Sequence, residues 1–208
     1  MTVKPGMSVV GLNPFLLGRA NEALEERDGV GFMVLVGNER RVEHLFDNLH
    51  LLRDRGMYES ALHETYTSQW TNPALRLPVP HHVWRFFFSI ADRDRLRACG
   101  DPLPGPGPFT LYRGVSGRGK ARRVKGFSWT GRQDVARWFA GLMAYGDGRN
   151  LPDPAVFVAT VPESAVLFYT DGRNEEEYVI FPDGINPRRV EKVGRELFEK
   201  IARERRRS

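Results

Sequence analysis

Three consecutive glutamates, Glu175-Glu176-Glu177, run into the apolar segment Tyr178-Val179-Ile180-Phe181 and stop at Pro182. On an extended backbone alternate residues leave on one face, which sets Glu175 beside Glu177 and turns Glu176 away. Neighbouring like charges repel, so the pair calls for something cationic or electron-poor between them. The plainer reading is a solvated acidic turn. Two further segments carry polar groups on apparent strands. Phe109 to Gly114 reads as a strand ending in Arg113, and Gly126 to Thr130 reads as a second one bearing Ser128-Trp129-Thr130.

Arginine on a strand, then Ser-x-Thr, then Glu-x-Glu entering a strand resembles the arginine–serine–glutamate class of mono-ADP-ribosyltransferases, of bacterial or phage type. The resemblance covers roughly residues 108–185, and Ser128-Trp129-Thr130 departs from the usual Ser-Thr-Ser. It implies an α+β fold with two packed mixed or antiparallel sheets and NAD, as substrate, in the cleft between them. It implies no metal. Glu177 would stabilise the positive charge that develops on the ribose as nicotinamide leaves, as a glycosidase carboxylate does. Glu175 would face the acceptor, an arginine of a protein, and help deprotonate its guanidinium. Arg113, with Gly114, would clamp the phosphates through its planar fork of donors. Ser128 would hold the Glu177 rotamer, with Trp129 and Thr130 completing the cofactor-binding strand. Tyr169 and Arg173 would face the target. Plainer roles exist for each: a surface ion pair for Arg113, a strand-end backbone bond for Ser128, core packing for Trp129 and a helix cap for Thr130.

The elements that must position these residues follow from the pattern. The chain has 208 residues, enough for a sizeable core. Residues 1–100 read as helical. Asn13-Pro14 starts a helix that runs to Arg27 and stops at Asp28-Gly29. Phe32 to Val36 is an apolar run that fits a strand or a buried helix equally well. Val42, Leu45, Phe46, Leu49 and Leu52 repeat at helical spacing up to Gly56, and Tyr58, Ala61, Leu62, Thr65, Tyr66 and Trp70 mark another helix. Thr71-Asn72-Pro73 ends it, and Pro78 to Pro80 keep the chain extended. The spacing then predicts one apolar helix from His81 to Ala98, buried on two sides, with Trp84, Phe87, Phe88 and Ala91 on one face and Phe86 and Ile90 widening it. This helical region is expected to form a layer against the sheet that follows.

Alternating prolines and glycines over 101–108 exclude helix and central strand and mark a linker. The candidate catalytic core spans 109–194. Thr130 followed by Gln133 fits a capping box for a helix with the stripe Val135, Trp138, Phe139, Leu142 and Met143. The uncharged, β-branched run Ala155 to Val161 predicts a central strand. Ala165 to Tyr169 predicts another, and 171–174 is turn chemistry. Val190 to Val193 ends the sheet, and 195–208 is a basic tail that reads as a fraying helix.

Formal net charge is +5, which favours anionic partners. From Arg188 to Ser208 there are nine Lys or Arg against four Glu. With the basic loop Arg118 to Lys125, that end offers RNA or DNA as an alternative acceptor. That loop is not a Walker loop, because its lysine spacing is wrong and no Ser or Thr follows the lysine. An NAD glycohydrolase toxin and a non-catalytic binding protein on the same scaffold are further alternatives. Cys99 is the only cysteine, so no intrachain disulfide forms. His81-His82 lacks a third partner for a metal. With no membrane-length apolar run and no apolar leader, the expected setting is the cytoplasm, native or invaded.

Overall fold

The computed structural model describes residues 9–68, 79–119 and 122–205. Trp70, Thr71-Asn72-Pro73, Pro78, Lys120, Ala121 and residues 206–208 lie outside them. The chain divides into two compact units, Met1–Cys99 and Gly100–Ser208.

The first unit is helical: α1 Leu17–Glu26, α2 Gly29–Met33, α3 Arg41–Asp47, α4 Leu49–Asp54, α5 Tyr58–Ser68, α6 His81–Ser89 and α7 Arg93–Ala98. Asn13 caps the entry turn, and Arg27 closes α1 in the left-handed conformation. Asp28 does more than stop α1, since its side chain accepts from the Gly31 N–H and begins α2. The ambiguous apolar run is thus helical at its start, with Phe32 and Met33 fully buried. The stripe from Val42 to Leu52 forms two helices. Asn48 divides them, donating to the His44 and Val10 carbonyls and accepting from the Val10 N–H. Phe46, counted with that stripe, is exposed.

The single helix expected over His81 to Ala98 is also two. Asp92 caps α7 through the Asp94 and Arg95 N–H groups, and its own N–H is taken by the buried Glu59 carboxylate. Trp84, Phe87 and Phe88 are buried while Phe86 is exposed, so α6 has one buried face rather than two. The Tyr58 hydroxyl donates to the Phe87 carbonyl at 2.9 Å, and Tyr66 packs edge-on against Trp84.

The second unit holds β1 Phe109–Val115, β2 Ser128–Thr130, α8 Gln133–Gly141, β3 Ala155–Val161, β4 Val166–Thr170, β5 Glu177–Ile180, β6 Arg188–Lys192 and α9 Arg195–Arg205. All strand pairs are antiparallel, and the order is β4-β5-β2-β1-β3-β6. The chain is therefore α+β. The described residues make one six-stranded sheet where two packed sheets were expected. Its halves are joined at one residue pair, Tyr112 opposite Thr130, while β1 and β3 pair along seven positions. The sheet is continuous but nearly parted at that joint.

The uncharged run predicts a central strand; β3 is interior, paired with β1 and β6, but lies second from the sheet's edge. One apolar cluster gathers Leu111, Trp129, Val161, Tyr169, Tyr178 and Ile180. A second gathers Ala136, Ala140, Val156, Val193 and Phe198. The tail does not fray over its described part: Phe198 and Ile201 of α9 are buried, and Phe198 lies where a Gly141 side chain would be.

The expected capping box does not form. Thr130 lies in β2, Arg132 holds the N-cap position, and the Gln133 amide donates to Glu191. The Gln133 side chain is turned outward to a remote carboxylate instead of bringing its oxygen back to the Thr130 N–H.

Gly114 owes its identity to packing. A Cβ there would lie inside the van der Waals shells of the Ala136 carbonyl and the Ala140 amide on α8. Backbone cannot swing aside as a side chain does, so Gly114→Ala should destabilise the second unit by about 3 kcal/mol. A urea-denaturation midpoint unchanged from wild type would contradict this.

Candidate active site

The register of β2 on β5 decides which groups meet. Ser128 pairs with Val179 and Thr130 with Glu177. Directly opposed residues share a face, so Ser128 and Glu177 are diagonal neighbours on one side of the sheet. Trp129 and Tyr178 take the other side and join the core. The Ser128 hydroxyl donates to Glu177 Oε1 at 2.5 Å. Arg113 donates to the Ser128 backbone carbonyl and to the Arg123 carbonyl. A Cβ on Gly126 would run into the Arg113 guanidinium, so glycine leaves room for that side chain. Arg113 and Glu177 are thus both bonded to Ser128, the cation at its backbone carbonyl and the acid at its hydroxyl.

Glu175 and Glu177 also converge, though not through the extended backbone that alternation assumes. β5 begins only at Glu177, and Glu176 has φ 44°, in the left-handed region. Few residues other than Gly, Asn and Asp adopt that conformation readily. A network holds the turn there. The Glu176 N–H donates to Asp171 Oδ1, the Gly131 N–H donates to the Glu176 carbonyl, and the Thr130 hydroxyl donates to the Glu175 carbonyl at 2.6 Å. Arg132 donates to both the carbonyl and the side-chain oxygen of Asn174.

The cation demanded by the acidic pair is Arg173. Its Nε lies 3.3 Å from Glu175 Oε2, and its Nη2 lies 3.1 Å from Glu177 Oε2. Arg205, near the end of α9, reaches Glu175 Oε1 at 3.3 Å while its guanidinium covers the Trp138 ring at 4.7 Å. Glu176 stands apart, with its carboxylate over Gly131.

Glu177 is 7 % exposed. Burial pushes its carboxyl above the ordinary glutamate range. The Ser128 hydroxyl and the Arg173 guanidinium pull it down, and the Glu175 carboxylate pushes it up again. A glutamate at this position is therefore harder to ionise than the unperturbed side chain that the sequence suggests.

Other expected site residues stand elsewhere. Trp129 is buried and donates to the Gly126 carbonyl, so it offers no ring to a cofactor. Tyr169 is 7 % exposed and packs on Tyr178 with ring centroids 4.8 Å apart, which removes it from the target-facing set. Burial of that phenol raises its pKa to about 12. Thr130 serves the acidic turn, and Gly114 serves helix packing. Sequence reasoning missed Arg132 and Arg205. Nothing local to residue 205 points to residue 175, thirty positions away. Among the described residues no group of three or more His, Cys, Asp or Glu side chains could hold a metal. No described helix is long and apolar enough to cross a membrane.

The raised Glu177 carboxyl has a stability signature. The folded protein holds that proton more tightly than the unfolded chain, whose glutamates titrate near pH ~4.3. The associated stabilisation is complete below that pH and is lost as pH rises through the folded-state value. Glu177→Gln should abolish this component. Subtracting mutant from wild-type unfolding free energies across pH 4 to 8 should give a difference that falls with pH. A flat difference would show that Glu177 ionises normally. No protein-family model, curated protein or solved structure matches the chain.

Proposed function

We propose that the protein is an NAD-dependent mono-ADP-ribosyltransferase that modifies arginine on a protein. The observation that carries this reading is the series Arg113–Ser128–Glu177, with Glu175 joined to Glu177 across a shared guanidinium. Each member has the chemistry that the reaction needs. Arg113 supplies positive charge for the diphosphate, from a guanidinium anchored by its bonds to the Arg123 and Ser128 carbonyls. Glu177 lies at a strand end with its rotamer fixed by a hydroxyl, which is the preorganisation that charge stabilisation requires.

In the reaction the nicotinamide nitrogen departs with the electron pair of its bond to the ribose C1′. Positive charge develops on the sugar, and the Glu177 carboxylate offsets it. Opposite unit charges about 4 Å apart attract by roughly 4 kcal/mol at a near-surface dielectric. The acceptor guanidinium nitrogen then bonds to C1′, and its proton passes to Glu175. A guanidinium that keeps all its protons is a poor nucleophile, so a carboxylate beside it is what the transfer step requires.

A protein acceptor fits the charge arrangement better than nucleic acid. Arg122 of the basic loop and Arg189 both pair with Asp153, and Arg205 pairs with Glu175. These three cations are committed within the fold rather than arrayed for phosphates. Glu175 likewise favours transfer to a nucleophile over transfer to water. NAD is the co-substrate, and the setting is a cytoplasm, native or invaded.

Incubation with labelled NAD and an arginine-rich acceptor tests this. Glu177→Gln should reduce transfer about a hundredfold or more, the scale of losing one preorganised electrostatic group. Glu176→Gln should leave most activity, because that carboxylate lies outside the guanidinium bridge. The acid limb of the pH–rate profile should fall above the ordinary glutamate range. Absence of NAD consumption by wild type would end the reading, and equal losses in the two variants would end the assignment to Glu177.

A further inference from the structure

Every carboxylate oxygen of the acidic pair already has a donor from the chain itself. Glu177 takes the Ser128 hydroxyl and Arg173, while Glu175 takes Arg173 and Arg205. An incoming guanidinium must therefore displace one of its own kind. The two arginines are not equally placed. Arg205 sits on the last turn of a packed helix against the Trp138 ring. Arg173 sits on the turn between β4 and β5, and its side chain is 38 % exposed, against 27 % for Arg205, 13 % for Glu175 and 9 % for Glu177. It is the solvent-side member of the cluster.

We propose that Arg173 is an internal competitor for the acceptor's guanidinium, and so the residue that sets how strongly the site accepts an outside arginine. The proposal rests on the transferase reading for what the acceptor does next, but not for the exchange itself. A planar fork bridging two carboxylates is matched by another planar fork making the same two contacts. Arg173 is tethered to the site, so it competes at an effective concentration on the order of millimolar. Acceptors that bring only one guanidinium must overcome that. An acceptor with neighbouring contacts to the protein surface does so, which restricts modification to proteins that dock. A lysine amine, lacking the fork, replaces Arg173 poorly.

The test uses the full chain and agmatine as a minimal guanidinium probe. By calorimetry without NAD, Arg173→Gln should bind agmatine about tenfold more tightly than wild type. With NAD, the same variant should show a KM for agmatine lowered to a similar extent. Equal or weaker agmatine binding by Arg173→Gln would overturn the proposal. So would an unchanged KM with slower NAD cleavage, the pattern of a residue that merely positions Glu177. Should Arg173→Gln fail to fold, Arg173→Lys keeps a cation between the acids while removing the fork. It too should bind agmatine more tightly, and wild-type affinity there would overturn the proposal. If neither wild type nor variant consumes NAD but Arg173→Gln still gains agmatine affinity, the transferase reading fails and the competitor role stands.

Discussion

Two carboxylates held together near the mouth of a buried strand need a cation between them, and the second unit is arranged to supply one. Burial alone disfavours the charge on Glu177, and Glu175 beside it adds repulsion. Arg173 answers both acids with one side chain, and Arg205 takes the outer oxygen of Glu175. The arrangement is costly to disturb one member at a time, because a buried charge without its partner is far less favourable than the intact group. This explains why so much polar bonding converges on the turn 171–176. Thr130, Gly131, Arg132 and Asp171 all bond to its backbone or to Asn174.

The scaffold does the coarse positioning. Antiparallel pairing of β2 with β5 makes Ser128 and Glu177 diagonal neighbours whatever their chemistry. The single Tyr112–Thr130 pair leaves β1 loosely joined to β2, and Arg113 spans that joint by bonding to the Ser128 carbonyl. Gly114, next in sequence, lets α8 lie directly on β1. One strand thus supplies a cation to one neighbour and a smooth surface to another, by alternation of adjacent residues.

What the sequence made legible was whatever depends on near neighbours. The uncharged run Ala155 to Val161 marked a strand paired on both sides, and the stripe from Val135 marked a helix. Reasoning failed where a distant group won a local contest. The Thr130–Gln133 pattern has the form of a cap, yet the Thr130 hydroxyl donates to the Glu175 carbonyl while accepting from the Arg132 N–H, and the Gln133 amide reaches Glu191. The helix expected over His81 to Ala98 breaks where Glu59 takes the Asp92 N–H, thirty-three residues away. At the candidate site the need for a cation was readable from like-charge repulsion. Its identity needed the turn's geometry, and the contribution of Arg205 needed the fold.

The acidic pair also shows why a correct expectation can follow from a wrong premise. Alternation on an extended strand predicts that Glu175 and Glu177 meet, yet the backbone there is not extended. Glu176 adopts a left-handed conformation, which few side chains tolerate without compensation. The compensation is visible in the hydrogen bonds to its N–H and carbonyl. The convergence is thus a property of a braced turn, not of strand periodicity. Strand periodicity would tie the separation of the two acids to the sheet's pleat. A braced turn ties it to Asp171, Thr130 and Gly131 instead, so the spacing of the pair is set by residues that carry none of its charge.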